Sequence, residues 1–184
     1  MEKIRSFISV EIPEKVRSEI TRMLNKFSQE DSGARWVKHD NLHITLIFLG
    51  EVTKDFLENA EHELMTIAKI QKSFEMSLKN LGAFPSQRLP RIIWIGVERG
   101  EAEIIDLQSK IESAFTKIGY KPEERKFHPH LTIGRVKFRF DNPKIFEVDY
   151  KSGIFPVKSV VLFKSTLAPQ GPIYEKINEF SFSE

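Results

Sequence analysis

The sequence predicts an α+β protein of two similar lobes that share one groove, and three observations carry that prediction. A four-residue pattern, His43-Ile44-Thr45-Leu46, returns near the other end of the chain as His130-Leu131-Thr132-Ile133. A strand turns successive side chains to opposite faces, so in each copy the histidine and threonine share one face and the two aliphatic residues share the other. Second, the order strand, helix, strand, helix, strand read from the periodicity before residues 81–90 is loosely repeated after them. Third, the composition is that of a globular domain: 184 residues, 40% apolar and 29% charged, are enough to bury a real core.

The elements follow from local pattern. Ser6 to Ile12 alternates as a strand, and Pro13 then takes the favoured first turn of a helix. Val16, Ile20, Met23, Leu24 and Phe27 recur at helical spacing, and Asp31-Ser32-Gly33 supplies the stop. Ala34 to Val37 reads as a short strand and Lys38 to Asn41 as a turn. The first His-x-Thr strand comes next, closed by Gly50; its Ile47-Phe48-Leu49 run is apolar on both faces, which marks a central, buried position. Thr53 is placed to cap a second helix that lines up Phe56, Leu57, Ala60, Leu64, Ile67 and Ala68. Phe74, Met76 and Leu78 alternate as a strand. Leu81 to Pro90, with its glycine and prolines, reads as a loop and as the crossing between lobes. Arg91 to Val97 is a buried strand. A third helix from about Glu101 to Ile118 turns Ile104, Leu107, Ile111, Phe115 and Ile118 inward, and Gly119 stops it. The charged run 121–126 is a solvated loop leading to the second His-x-Thr strand. Strand-like runs at 145–150, 157–164 and 173–182 complete one bilobal domain over residues 1–184.

Composition also excludes several classes. With no cysteine there is no disulfide framework, thiolate nucleophile or cysteine-ligated metal. A net charge of +2 is too small to hold nucleic acid by bulk electrostatics, so such binding has to come from local clusters. No leader segment and no long apolar run stand out, so a soluble cytoplasmic protein is expected.

Two histidines and two threonines aimed into one groove suit phosphate chemistry. One imidazole can take a proton from the attacking group while the other gives one to the departing oxygen, both near neutral pH. Threonine hydroxyls can donate to phosphate oxygens. Neither a metal nor another cofactor is required. A different use of the same residues is zinc binding by His43, His128 and His130. That reading leaves the paired threonines unexplained. His62 falls off the apolar face of its helix and His39 sits in a turn, so both are read as surface residues.

The chain resembles the two-histidine phosphoesterases, and within them the RNA 2',3'-cyclic phosphodiesterases, also called 2'-5' RNA ligases. The likeness runs through Arg5-Ser6-Phe7-Ile8, Arg35-Trp36-Val37, Asn41-Leu42-His43 and Phe48-Leu49-Gly50-Glu51-Val52. It continues through Leu81-Gly82-Ala83-Phe84-Pro85, Pro90-Arg91-Ile92-Ile93-Trp94, Pro129 to Arg135, Ser165-Thr166-Leu167 and Gly171-Pro172-Ile173-Tyr174. The resemblance implies two antiparallel sheets around a central cleft. It implies hydrolysis of a terminal RNA 2',3'-cyclic phosphate to a 2'-phosphate, with reversible ATP-independent 2'-5' joining in some members. Carried over by motif, His43 is the proton donor to the leaving 3' oxygen, His130 the base that activates water, and Thr45 and Thr132 the phosphate holders. Phe48 and Arg135 lie five positions beyond their histidines and are implied to flank the terminal base. Strict alternation would put both on the wrong face, so that role requires a bulge or twist in each strand.

The expected partner is an RNA 3' end such as a cleaved tRNA, or a nucleotide, acted on by a monomer, since one chain supplies both motifs. A second class of function is an RNA- or nucleotide-binding module without catalysis. In it Arg88, Arg91, Arg125, Lys126, Lys137 and Arg139 form a basic rim, and Phe84 offers a stacking surface. Arg88 and Arg91 are the rim residues expected to contact substrate in either case.

Overall fold

The computed structural model describes residues 2–30 and 33–183. The chain runs β1 (Lys3–Glu11), α1 (Glu14–Gln29), β2 (Ala34–Trp36), β3 (His43–Thr53), α2 (Lys54–Ile70) and β4 (Phe74–Phe84). It continues with β5 (Ile92–Arg99), α3 (Glu101–Lys117), β6 (His130–Val136), β7 (Phe155–Val157), β8 (Ser159–Ala168) and β9 (Gly171–Ser181). Short 3-10 turns occupy His39–Asn41 and Pro143–Glu147. The strands form two sheets, a four-stranded one in the order β3-β1-β8-β9 and a five-stranded one in the order β2-β6-β5-β4-β7. Every pairing between these strands is antiparallel, so the α+β class with two antiparallel sheets is the observed one.

The helices cover apolar sheet faces because their own apolar stripes have nowhere else to go. Val16, Ile20, Leu24 and Phe27 are the buried residues of α1, with Met23 at the margin. In α2 they are Leu57, Ala60, Leu64, Ile67 and Ala68, and the Thr53 side chain accepts from Phe56 N at 3.3 Å as the expected cap. Helix α3 buries Ile104, Leu107, Ile111 and Phe115. These side chains join Ile8, Val10 and Ile44 of one sheet and Ile93, Ile95, Leu131 and Ile133 of the other in a single continuous core. At roughly 1.5–3 kcal/mol for each buried Leu, Ile or Phe, that shared core holds the two lobes as one unit.

Several boundaries differ from the sequence expectation. The crossing does not lie at 81–90: β4 runs on to Phe84, and residues 85–91 only join β4 to its partner β5 within the same sheet. The chain instead changes sheets repeatedly, at α1, before β3, along α2 and between β7 and β8. Leu81 and Ala83 are buried strand residues, and it is their apolar alternation, not Gly82, that decides the local structure. Gly50 does not close β3; with φ +67° it follows a bulge, and the strand continues to Thr53. β3 is an edge strand, not a central one. The run 145–150 is no strand either, because Pro143 starts a 3-10 turn there. Pro13 stands just ahead of α1 in an extended conformation. Asp31 and Ser32, the expected stop of α1, lie outside the described residues.

Candidate active site

The two motif strands lie against each other at the junction of the sheets, and a cleft of about 370 Å³ opens over them. His43, Thr45 and Phe48 of β3 line it together with His130, Thr132 and Arg135 of β6. The expected convergence of both motifs on one groove is therefore present.

Each imidazole is held the same way. His43 Nδ1 donates to the carbonyl oxygen of Asn41 at 2.7 Å, and His130 Nδ1 donates to that of His128 at 2.7 Å. A carbonyl can only accept, so Nδ1 carries the proton in both rings and the neutral Nε2 presents a lone pair. In His43 that lone pair accepts from the Thr45 hydroxyl at 3.0 Å. This carbonyl two residues upstream is a positioning group that the sequence pattern did not reveal, since it depends on backbone direction and not on side-chain type.

Both strands also carry the bulge that Phe48 and Arg135 require. Along β3, Thr45 pairs with Ser9 but Ile47 pairs with Ile8, which leaves Leu46 as the extra residue. Along β6, Thr132 pairs with Trp94 but Gly134 pairs with Ile93, which leaves Ile133 extra. An extra residue at the third position after each histidine resets the alternation. The fifth position then returns to the cleft face in both strands, so Phe48 and Arg135 are exposed and line the cleft.

Aromatic side chains surround each ring. Phe7 stacks on His43 at 4.9 Å between centroids and Tyr174 meets it edge-on at 5.2 Å. Phe84 meets His130 edge-on at 5.1 Å, with Trp94 at 6.3 Å. Burial among these rings pushes the His43 imidazole down to about 4, with a further downward push from the Arg135 and Arg17 charges; the bond to Asn41 works in the opposite sense. His130 is also lowered, first by burial and then by the charges of His128 and Arg135, against the bond to the His128 carbonyl. Both rings are thus neutral in the empty cleft at neutral pH.

Not every expected residue is at the site. Arg125, Lys126 and Phe84 line the cleft, whereas Arg88, Arg91, Lys137 and Arg139 do not. Arg91 turns its guanidinium to the carbonyl of Lys137 at 2.8 Å, and Arg139 pairs with Asp141. Arg88 and Arg91, expected on the groove rim, lie in the connection between the paired strands β4 and β5 of one sheet. His128 faces the cleft with its ring centroid 6.2 Å from that of His130, but among the described residues no group of three or more His, Cys, Asp or Glu side chains is arranged to hold a metal ion. His39 is held by Thr21 and Glu14 at the surface. Lining residues missed from the sequence include Arg35, Lys38, Gln108 and Glu112. Alternation would have put Arg35 on one face with residues 33 and 37, but nothing in the pattern said which strand β2 would join.

A cleft with paired imidazoles and hydroxyls, between two antiparallel sheets, defines a phosphoesterase of the two-histidine kind. The chain belongs to the LigT-like phosphoesterase family, whose model matches residues 10–94 and again residues 95–174. The double match agrees with the repeat of the motif. The chain is 37% identical to the RNA 2',3'-cyclic phosphodiesterase of Methanocaldococcus jannaschii, over 96% of this chain and 100% of that one. It is 34% identical to the enzyme of that name from Methanothermobacter thermautotrophicus, over 97% and 98% of the two chains. Among solved structures, a Thermus thermophilus protein superposes with a TM-score of 0.84 at 25% identity, covering 97% of this chain and 98% of that one. E. coli LigT complexed with 3'-AMP superposes with a TM-score of 0.81 at 24% identity over the full length of both, a likeness of fold.

Proposed function

We infer that this chain hydrolyses the 2',3'-cyclic phosphate at an RNA 3' end to a 2'-phosphate, by acid/base catalysis from His43 and His130. The observation that carries the reading is the pair of Nδ1-pinned imidazoles whose Nε2 atoms serve one cleft. The names of the relatives agree with it. His130 Nε2 takes a proton from water as the water oxygen forms its bond to phosphorus. The bond from phosphorus to the 3' oxygen breaks, and that oxygen receives the proton carried on His43 Nε2. Thr45 and Thr132 donate to the non-bridging oxygens, and Phe48 with Arg135 flanks the terminal base. His43 is neutral in the empty cleft, so its proton has to be taken up with the substrate. An anionic phosphate beside the ring favours imidazolium and supplies the reason for that uptake.

A 5'-hydroxyl in place of water would give a 2'-5' linkage by the same proton transfers, which extends the reading to ATP-independent, reversible joining. Cleaved tRNA is one RNA that could present such an end. Both motifs come from one chain, which supports action as a monomer, and an RNA substrate keeps the cytoplasm as its place of work. Among the described residues no helix is long and apolar enough to cross a membrane.

Incubation with a short RNA bearing a 2',3'-cyclic phosphate tests the reading, with a 2'-phosphate as the expected product. RNA that is retained on the protein but chemically unchanged would make the chain a binding module instead.

A further inference from the structure

Two arginines stand side by side in the cleft wall. In the antiparallel pairing of β2 with β6, Arg35 is directly opposite Arg135, so both side chains leave the same face, and both line the cleft. Like charges in that position repel and weaken the pairing. The arginines that do find carboxylates among the described residues are Arg99, with Glu75, and Arg139, with Asp141. Neither Arg35 nor Arg135 has such a partner among those residues. Arg35 is nevertheless given a defined place: a Cβ built on Gly171, where φ is +117°, would lie 3.2 Å from Arg35 Nη2, so the glycine leaves room for the guanidinium under the turn between β8 and β9. The Asn41 side chain ties that turn down by donating to the Pro172 carbonyl at 2.9 Å.

We propose that Arg35 and Arg135 together form a second anion subsite that holds the internucleotide phosphodiester of an RNA chain upstream of the cyclic phosphate. Paired guanidiniums with open donor edges match a phosphate better than any neutral ligand, and a bound anion would relieve their repulsion. Arg135 stands five residues beyond His130, and with Ile133 taken up in the bulge its backbone is about four strand rises, roughly 13 Å, further along β6. Its backbone anchor lies beyond the histidines and next to Arg35 of β2, so the paired guanidiniums are placed to meet the phosphate adjoining the one between the imidazoles, while the Arg135 charge still reaches both rings. The planar group can do this while flanking a base, because its face stacks and its edge donates. The subsite gives the chain a reason to prefer oligonucleotides over cyclic mononucleotides.

This inference rests on the proposed hydrolysis of RNA cyclic phosphates, and the test separates the two. A dinucleotide ending in a 2',3'-cyclic phosphate is made with either a normal phosphodiester or a neutral methylphosphonate between its nucleosides. Binding and turnover of both are measured with the wild-type chain and with Arg35→Gln. The wild type should favour the charged linkage about ten- to a hundredfold, the scale of one charge-assisted contact, mainly through KM. Arg35→Gln should reduce that preference to about threefold or less, and the wild-type preference should shrink as salt is raised. Equal binding of the two dinucleotides by the wild type, or a preference that survives Arg35→Gln, overturns the subsite. Absence of hydrolysis of either compound would instead count against the catalytic reading, while the binding comparison would still decide the subsite.

Discussion

His43 stands on β3, the open edge of its sheet, packed against Phe7, Phe163 and Tyr174. His130 stands on β6, an inner strand flanked by β2 and β5, against Phe84, Trp94 and the exposed His128. Up to the ring the two halves agree: a carbonyl two residues upstream, a threonine two residues downstream, a bulge at the third position and a cleft-facing side chain at the fifth. Beyond the ring they differ, and the difference lies in what desolvates each imidazole. His43 is pushed down to about 4, with Arg17 adding its charge on that side only. In the proposed reaction His43 is the ring beside the leaving oxygen, and once the substrate has charged it an imidazolium with a low pKa gives its proton away readily. A repeat can therefore supply the same geometry twice while the packing around each copy gives the two rings different surroundings.

The largest expected effect removes either ring. His43→Ala and His130→Ala should each lower kcat on the order of a hundred- to ten-thousandfold, and the double variant should cost less than the product, because the pair acts as a unit. A substrate whose leaving oxygen is replaced by a much better leaving group, needing no proton, splits the halves. It should largely rescue His43→Ala and leave His130→Ala inactive. Rescue of His130→Ala instead would exchange the roles, and rescue of neither would remove the acid/base account.

A smaller effect is expected at the threonines, about one to three kcal/mol of transition-state stabilisation each for a hydroxyl donating to a charged group. Here too the halves should separate. In the empty cleft the Thr45 hydroxyl donates its one proton to His43 Nε2 at 3.0 Å, and no corresponding bond from Thr132 to His130 is present among the described residues. Thr45→Val should shift the pH profile as well as lower the rate, whereas Thr132→Val should lower the rate alone. Equal profiles in the two variants would show that the Thr45 bond has no hold on His43.

Phe48 and Arg135, the pair proposed to flank the terminal base, should differ in kind. Phe48→Ala removes a stacking face, worth about 1–3 kcal/mol per base, and should raise KM with kcat little changed. Arg135 also sets its charge against both imidazoles, so Arg135→Met should raise KM and move the pH optimum upward as the imidazoles regain basicity. A variant of Arg135 that changes KM alone would confine it to binding.

What the sequence showed and hid follows from range. The motif faces, the helix stripes at Val16-Ile20-Leu24 and Leu57-Ala60-Leu64, and the Thr53 cap are local patterns of two to four residues, and they stand as read. The edge position of β3 and the union of β2 with β6 depend on which distant strands pair, which no local period encodes. The same limit misplaced Arg91, whose partner is the carbonyl of Lys137 on another loop. The bulges lie between: Ile44 to Ile47 shows three aliphatic residues where strict alternation allows two, yet only the shift from Ser9 to Ile8 fixes Leu46 as the extra one.

The smallest expected effect is a displacement of the pH profile, and it tests whether burial alone sets the contrast between the halves. In the free protein both rings lie below the usual imidazole value, His43 at about 4. In the proposed reaction the productive state holds one proton on the pair, so kcat/KM, which reports the free protein, should form a bell centred on the acid side of about 6.5 and fall as pH rises beyond it. In the complex the phosphate anion favours the charged rings and raises both ionisations, since it stabilises imidazolium over imidazole. The bell in kcat should therefore sit at higher pH than the bell in kcat/KM, with the cyclic diester itself keeping its charge throughout. Replacing the ring that stacks on His43, as in Phe7→Leu, opens that side to water and should raise the ionisation governed by His43 in the free protein while leaving the one governed by His130 in place. Bells that coincide for kcat and kcat/KM would mean that the substrate brings no proton with it. A Phe7→Leu profile shifted on both limbs would mean that the two rings share one environment after all.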